Sequence, residues 1–577
     1  MNKPILEKLL YTNSKMSQRE LATALGISLG KVNKELSILK REEYIDTNYK
    51  VTKKGKEFLR SNHPQRAIIL AAGYGMRMVP INTEEPKGLL EVNNEPLIER
   101  IISQLHEVGI EDIHVVVGFM KEHYEYLIDK YNVSFIVNPH YADYKNIYSL
   151  FLARDYLKDS YIIPCDVWFK NNPFFRVEDE SYYLFSKEQV KNSNWRVQAR
   201  GGVKKVPSQE LGDRMVGLAF INRSDAVVLK KLLDKVGKDR DLLHNFWEEI
   251  LEQDRKFILK GKLIPSESFK EINSYEELRD LDFNSSHLQN DAIKIIEHVL
   301  KTDLNGIRNI RVLKKGMTNR SFSFEHEDNK YIMRIPGKGT DELINRHDEY
   351  ETYSVLKNVE WTERVLYLNP KNGYKLSRFI KNSQNCDSNN PQQVYDCMKL
   401  LRKFHDSNFK VNHRFDLYNQ IEFYEQLRNS PSAYRDYDLV KERVVVLRPF
   451  IEKNVKKQVL CHIDANPDNF LFSKGRIYLI DWEYAGMQDP DIDIAMFAIY
   501  AMYDQPKIDK LIQYYYQGHC DLVTKQKIYA YVAACGLLWS NWCEYKQSLG
   551  LDFGAYSLAQ YRYAKEYSKK VLKYLEE

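Results

Sequence analysis

No two of the seven cysteines stand in C-x-x-C spacing, and so sparse and odd a set in 577 residues makes no disulfide framework. Neither structural zinc nor a dithiol redox pair is suggested, and the thiols are expected to be reduced and packed. No apolar run approaches the roughly 20 residues of a membrane span. The best candidate, residues 494–503, is about half that length. Residues 1–19 are polar, with no basic-then-apolar leader, so the chain is expected to be soluble and cytoplasmic. There is no internal repeat and no low-complexity tract. A strong overall charge is missing too: the formal value is +5, and residues 1–64 alone hold 13 Lys plus Arg against 7 Asp plus Glu. The basic excess belongs to the N-terminus, and the remainder is close to neutral.

What is present falls into three segments, within the two to four domains that the length suggests. In "SQRELATALGISLGKVNKELSILKREEYI" (17–45), Ser17 and Glu20 form a capping-box pattern. Leu21, Ala24 and Leu25 give an apolar stripe. Gly26 stops that helix, and Ser28 caps a second one carrying Val32, Leu36 and Leu39. "YIDTNYKVTKKGKEFL" then offers a small hairpin and a further helix. The segment resembles winged helix-turn-helix domains of bacterial regulators. That resemblance implies DNA or protein contact through residues 1–64, with Lys31, Asn33, Lys34 and Lys40 on or near the second helix.

From Ala67, short apolar runs alternate with helical stretches: "AIILAA", "IHVVV" (113–117), "VSFIV" (133–137) and "SYIIPC" (160–165). They predict a buried, mainly parallel sheet of the doubly wound α/β class. "LAAGYGMRM" (70–78) places a Gly-rich turn after the first strand, where backbone N–H groups can approach a phosphate. Leu70, Ala71, Ala72, Gly73 and Gly75 form that turn. Arg77 and Lys87 are two cations able to neutralise a triphosphate as charge moves onto leaving pyrophosphate. The pieces resemble the sugar-1-phosphate-type nucleotidyltransferases, with a Rossmann-like sheet. By that resemblance Asp166 holds Mg²⁺, and Asn273 in "KEINSYEEL" takes the place of the family's second carboxylate. "NPHYADYKNIYSLFLA" (138–153) is closer to bacterial phosphocholine cytidylyltransferases. A trimethylammonium group is recognised by aromatic faces and a carboxylate. Trp168, Tyr182, Trp195 and Glu271 are the candidates. "NSSHLQND" (284–291) reads as the second junction, so the expected domains are 1–64, 65–285 and 286–577.

The last segment opens as an antiparallel meander (308–337) and continues as aromatic-rich helices. Within them stand "HIDANPDNFLF" (462–472) and "YLIDWEYA" (478–485), whose His-x-Asp, later Asn and final Asp suit a divalent metal and a phosphate. The pattern resembles the choline and aminoglycoside kinases, a two-lobed kinase-like fold. The resemblance makes Asp464 the catalytic base and Asn469 and Asp481 the Mg²⁺ ligands. His462 and Asp493 become loop supports. Thr318 and Asn319 fall in the phosphate-covering hairpin, and Arg334 stands where protein kinases use Lys, held by Glu349. "ACGLLWSNWCEYK" (534–546) puts Trp539, Trp542 and Tyr545 on one helix face. With Trp482, Glu483 and Tyr484 they are candidates for a quaternary-ammonium box.

The whole chain is thus expected to be a multidomain α/β and α+β protein. It would phosphorylate choline with ATP and then transfer a cytidylyl group from CTP to phosphocholine, with Mg²⁺, for decoration of surface glycopolymers. The same two reactions on ethanolamine or an aminophosphonate stay open, as does a choline-sensing DNA-binding regulator with vestigial enzyme domains. Homo-oligomerisation is open as well.

Overall fold

The computed structural model describes residues 3–11, 16–25, 27–75, 78–81, 85–191, 193–199, 201–207, 209–252, 259–313, 319–337, 343–548 and 553–577, with only the backbone at 3, 4, 11, 251, 252 and 319. The chain divides into two compact units, Met1–Lys294 and Ile295–Glu577.

The first unit begins with helices α1 (Lys3–Tyr11), α2 (Gln18–Leu25), α3 (Leu29–Arg41) and α4 (Lys53–Ser61). The capping box forms: the Ser17 N–H donates to Glu20 at 2.6 Å and the Glu20 N–H to Ser17 Oγ at 3.2 Å. Ser28 caps α3 through the Lys31 N–H. Leu21, Val32, Leu36 and Leu39 are buried together as their spacing predicts, but Ala24 is exposed and Ala22 packs in its stead. Gly26 lies outside the described residues. The expected hairpin is reduced to one bridge, Ile45 to Val51. Val177, from beyond the first sheet strands, completes this small core. The Glu178 N–H donates to the Asn62 carbonyl at 2.8 Å, and Arg176 lies 3.8 Å from Glu7. These contacts dock the winged helix on the α/β body.

Seven strands build the body's sheet: β1 (Arg66–Ala71), β2 (Asp112–Val117), β3 (Ser134–Val137), β4 (Ser160–Pro164), β5 (Tyr182–Val190), β6 (Gly212–Ile221) and β7 (Lys260–Ile264). Their order is β7-β5-β6-β4-β1-β2-β3. β1 pairs in parallel with β2 and β4, β2 with β3, and β7 with β5; β6 runs antiparallel between β4 and β5. Along β1 the period of two is plain. Ala67, Ile69 and Ala71 enter one apolar layer, while Ile68 and Leu70 enter the other. Both faces are covered, which is why these strands read as continuous apolar runs.

The second unit opens with β8 (Arg308–Val312), β9 (Asn319–His326), β10 (Asn329–Pro336), β11 (Val365–Leu368) and β12 (Lys375–Arg378), antiparallel in the order β8-β9-β10-β12-β11. A helical part follows, centred on Leu522–Ser548, a helix buried on all sides over most of its length. It packs against Leu417–Arg428, Asp491–Tyr500 and Ala555–Glu576. No helix of the described residues is long and apolar enough to cross a membrane. Among the seven free cysteines, six are buried and Cys520 is partly so.

Candidate active sites

In the first unit, β1 and β4 end side by side, and the Gly-rich turn leaves β1 there. The Cys165 N–H donates to the Leu70 carbonyl at 3.2 Å and the Phe119 N–H to the Ala72 carbonyl at 3.1 Å, so the turn is held from both flanks. Gly75 has φ +59°, a conformation that favours glycine. A Cβ at Gly73 would meet no atom of the described residues within 4 Å, so among them the space before it is open for a ligand. Arg77 lies outside the described residues.

Lys87 is drawn into the same place. Its ammonium donates to the Asp166 carboxylate and to Asn273 Oδ1 at 2.8 Å. The meeting of residues 79 and 186 positions away from Lys87 has a local cause. A short strand, Val167–Phe169, leaves Asp166 and pairs antiparallel with Phe269–Glu271. The Ile272 N–H then donates to the Asp166 carbonyl at 2.9 Å, which fixes Asn273 beside it. Gly88 allows this approach: a Cβ there would stand 2.9 Å from the Tyr124 hydroxyl. A carboxylate and an amide oxygen converging on an ammonium form an oxygen set suited to Mg²⁺, with Nζ occupying the cation's position.

Trp168, Trp195 and Glu271 lie at this edge of the sheet. Trp168 is half-buried with the Arg100 guanidinium 5.2 Å over its ring. Glu271 lies 3.8 Å from Arg214, and Trp195 is half-buried near the start of β6. Tyr182 does not join them. It is the first residue of β5, which runs parallel to β4, so it falls at the opposite edge. There it is fully buried and donates to Glu178 at 2.7 Å. As a face for a substrate it is corrected to a core residue.

In the second unit, the loop after Val459–Cys461 carries Asp464. Asn469 Nδ2 donates to the Asp464 carboxylate and to its carbonyl, both at 2.9 Å. With its nitrogen so committed, the Asn469 amide oxygen is the atom left for a cation, and Asp481 offers a carboxylate 37% exposed. This pair too suits Mg²⁺. Burial pushes the Asp464 carboxyl up to about 7; hydrogen bonds from Tyr500 and Asn469 oppose this and the charge of Asp481 adds to it. A base poised near neutrality is what proton abstraction needs. Ile463 and Asp481 both have φ +67°, strained for a β-branched and a charged residue. Asp493 braces the first of them. Its carboxylate accepts from the His462 and Ile463 N–H groups at 2.8 and 2.7 Å and pairs with His405 Nε2 at 3.0 Å. His462 faces the Ile480 carbonyl at 2.9 Å and stays neutral through burial, so it supports the loop. Asp493→Ala would strand two buried donors at about 1–3 kcal/mol each. We expect a loss of about 3 kcal/mol, read from the urea midpoint of the second unit.

Arg334 on β10 donates to both oxygens of Glu349 at 2.6 and 2.7 Å. Glu349 sits on helix Arg346–Val355. Glu483 is 3.4 Å from Arg334 and 3.7 Å from Arg346, so it belongs to this buried cluster and not to a substrate box. Burial raises its carboxyl pKa, assisted by the charge of Asp481. Trp482 is corrected likewise. It is fully buried, its indole N–H donating to Thr362 Oγ1 at 2.8 Å. Tyr484 instead reaches the neighbourhood of Asp464, with its ring 6.2 Å from Trp539. Trp539 is 5.3 Å from Tyr500 and 5.3 Å from Trp542. Tyr545 is buried on the same helix, with the Lys546 ammonium 5.4 Å over its ring. Thr318 and the Asn319 side chain lie outside the described residues.

Two site residues escaped sequence reasoning. Tyr500 was hidden in the apolar run 494–503, where its hydroxyl was the lone polar signal besides Tyr503. Lys375 on β12 lies 3.8 Å from Asp481 and 3.3 Å from Glu363. Nothing in the local pattern marks either.

Three family models match the chain. They are winged helix-turn-helix DNA-binding over residues 5–46, the MobA-like NTP transferase domain over 67–176, and choline/ethanolamine kinase over 310–534. The choline-phosphate cytidylyltransferase of Streptococcus pneumoniae is 32% identical over 221 residues, which is 38% of this chain and 96% of that one. The 2-aminoethylphosphonate cytidylyltransferase of Lancefieldella rimae is 30% identical over 230 residues, 38% of this chain and 94% of that one. The solved choline kinase LicA from Streptococcus pneumoniae is 28% identical, covers 48% of this chain and 98% of its own, and has a TM-score of 0.43. With Lys87, Asp166 and Asn273 gathered at the Gly-rich turn, and Asp464, Asn469 and Asp481 in the second unit, the chain belongs to the choline-phosphate cytidylyltransferase family, joined to a choline/ethanolamine kinase domain behind a winged helix-turn-helix.

Proposed function

We propose that this cytoplasmic enzyme makes CDP-choline in two steps, with domains 1–64, 65–285 and 286–577. In the first, the hydroxyl of choline attacks the γ-phosphorus of ATP. The new O–P bond replaces the bond to ADP, and Asp464 takes the hydroxyl proton. Arg334, held by Glu349, orients the phosphates. In the second, a phosphate oxygen of phosphocholine attacks the α-phosphorus of CTP and pyrophosphate leaves. Lys87, and by resemblance Arg77, offset the charge gathering on the leaving group. Mg²⁺, held by Asn469 and Asp481 in one site and by Asp166 and Asn273 in the other, would supply charge neutralisation and alignment of the phosphates.

The observation that carries the substrate is the ring group of Tyr484, Tyr500 and Trp539 beside the Asp464 carboxylate. Aromatic faces with one anion suit a quaternary ammonium, which has no donor to offer. A polycationic aminoglycoside would call for several carboxylates. Incubating the protein with choline, ATP, CTP and Mg²⁺ should yield ADP, pyrophosphate and CDP-choline by mass. ADP release without phosphocholine would refute the assignment. Trp539→Ala should raise KM for choline about tenfold, the equivalent of roughly 1.4 kcal/mol of cation–π contact, and KM for ethanolamine far less. Equal effects on both would favour ethanolamine or an aminophosphonate, the reading that the Lancefieldella rimae relative keeps open for the second step.

The winged helix exposes Lys31, Asn33 and Lys34 on α3, whereas Lys40 is engaged with the Thr47 carbonyl and the Tyr49 ring. This face supports DNA contact. Gel-shift titration on the protein's own upstream DNA should show salt-dependent binding, and Lys31→Ala with Lys34→Ala should lower the salt slope by about 2. Salt-independent or absent binding would leave a protein-contact role.

A further inference from the structure

On the second unit, a concave cavity of about 750 Å³ opens between the loop leading into β11, the segment following β12, and the Ser473–Lys474 turn. Arg334, Asn469 and Asp481 do not line it, so it is separate from the cluster described above. Five cations do: Lys357, Arg364, Arg378, Lys381 and Lys474. Among the described residues, Lys357, Arg364, Arg378 and Lys474 have no carboxylate partner, and Lys381 donates to the Asp328 carbonyl at 2.8 Å. Arg364 and Arg378 face each other across the β11–β12 ladder, the Arg378 N–H donating to the Arg364 carbonyl at 2.9 Å. Like charges directly opposite on adjacent strands are destabilising, and an anion between them reverses the sign. Of the two acids at the cavity, Glu360 is on the exposed rim. Glu363 turns inward, where Lys375, Tyr353 and Thr362 satisfy it. The net charge facing the cavity is strongly positive, and its volume is that of a nucleotide-sized ligand.

We propose that this cavity binds a small molecule carrying a diphosphate group. One diphosphate spans both arginines, and each wall adds one lysine, Lys357, Lys381 and Lys474. Glu363 links the wall to the kinase centre, since its Oε1 accepts from the Asp481 N–H at 3.3 Å. Ligand there is therefore one residue removed from Asp481.

Hydrogen–deuterium exchange on the full chain tests this. The protein is first saturated with non-hydrolysable ATP and CTP analogues and Mg²⁺, so that the catalytic sites are filled. Inorganic pyrophosphate, CDP, or sodium chloride at matched ionic strength is then added. At ten times Kd, exchange in 357–366 and 378–381 should slow by about tenfold in a diphosphate arm. Stronger protection by CDP identifies a nucleoside diphosphate, and equal protection by pyrophosphate identifies the free anion. Protection should vanish in the Arg364→Gln/Arg378→Gln double variant. Lys474→Gln, on a different element, should weaken it independently. No local protection in either diphosphate arm, equal protection by chloride, or undiminished protection in the double variant and in Lys474→Gln alike would overturn the proposal.

Discussion

Asp464→Ala is expected to lower ATP-dependent choline phosphorylation by about 10²–10⁴-fold, the range a positioned general base contributes, and to leave cytidylyl transfer to added phosphocholine unchanged. The variant should fold. The Asp464 carboxyl is half-buried and desolvation pushes its pKa up to about 7, so its charged form is not a source of stability, and Asn469 keeps its bond to the backbone carbonyl at position 464. Ile463 and His462 remain tied to Asp493. Parallel assays of phosphocholine formation from choline and ATP, and of CDP-choline formation from phosphocholine and CTP, separate the effects. An Asp464→Ala protein that still phosphorylates choline at the parental rate would remove the base from the mechanism.

Asp166→Ala should do the reverse. Cytidylyl transfer is expected to fall by at least about 10²–10³-fold, because the cation site loses the Asp166 carboxylate and Lys87 loses the anion that positions it. Asn273 alone offers a neutral oxygen, too weak a partner for a hard divalent ion beside a lysine. The fold should survive here as well. The link that fixes the segment around Asn273 runs from the Ile272 N–H to the carbonyl of residue 166, which any side chain retains. Phosphorylation of choline should be untouched, since the two centres lie in units with separate apolar cores. Loss of both activities from either substitution would contradict two independent centres. Negligible turnover in the unsubstituted protein, with choline-dependent DNA binding, would favour the choline-sensing regulator.

Residues that chemistry holds to a short stretch were legible in the chain. Asp464 and Asn469 must share one loop to share one phosphate, and the structure joins them by two hydrogen bonds. The Gly-rich turn, the sheet strands and the helix caps are local in the same sense, set by backbone conformation and period. Arg334 and Glu349 are only 15 residues apart, and their pairing followed from the resemblance to kinases. Neighbours in sequence were misleading where the backbone turned between them. Asp481, Trp482, Glu483 and Tyr484 are consecutive, and all four were read as facing the ligands. With Asp481 at φ +67°, Trp482 enters the core, Glu483 joins Arg334, and Tyr484 turns toward Asp464.

By itself the amino-acid order determined the three segments, the class of each, and the polar residues that act within a few positions of one another. These follow from periodicity, caps and charge, which are properties of neighbouring residues. Only the tertiary structure decided which side chains from distant segments meet: Lys87 with Asp166 and Asn273, Lys375 with Glu363, and Tyr500 with Trp539. Strand direction decided the fate of Tyr182, an aromatic residue like the others in composition but placed at the far edge of the sheet. Such meetings depend on ladder register and strand order, which long-range packing sets and no local pattern encodes.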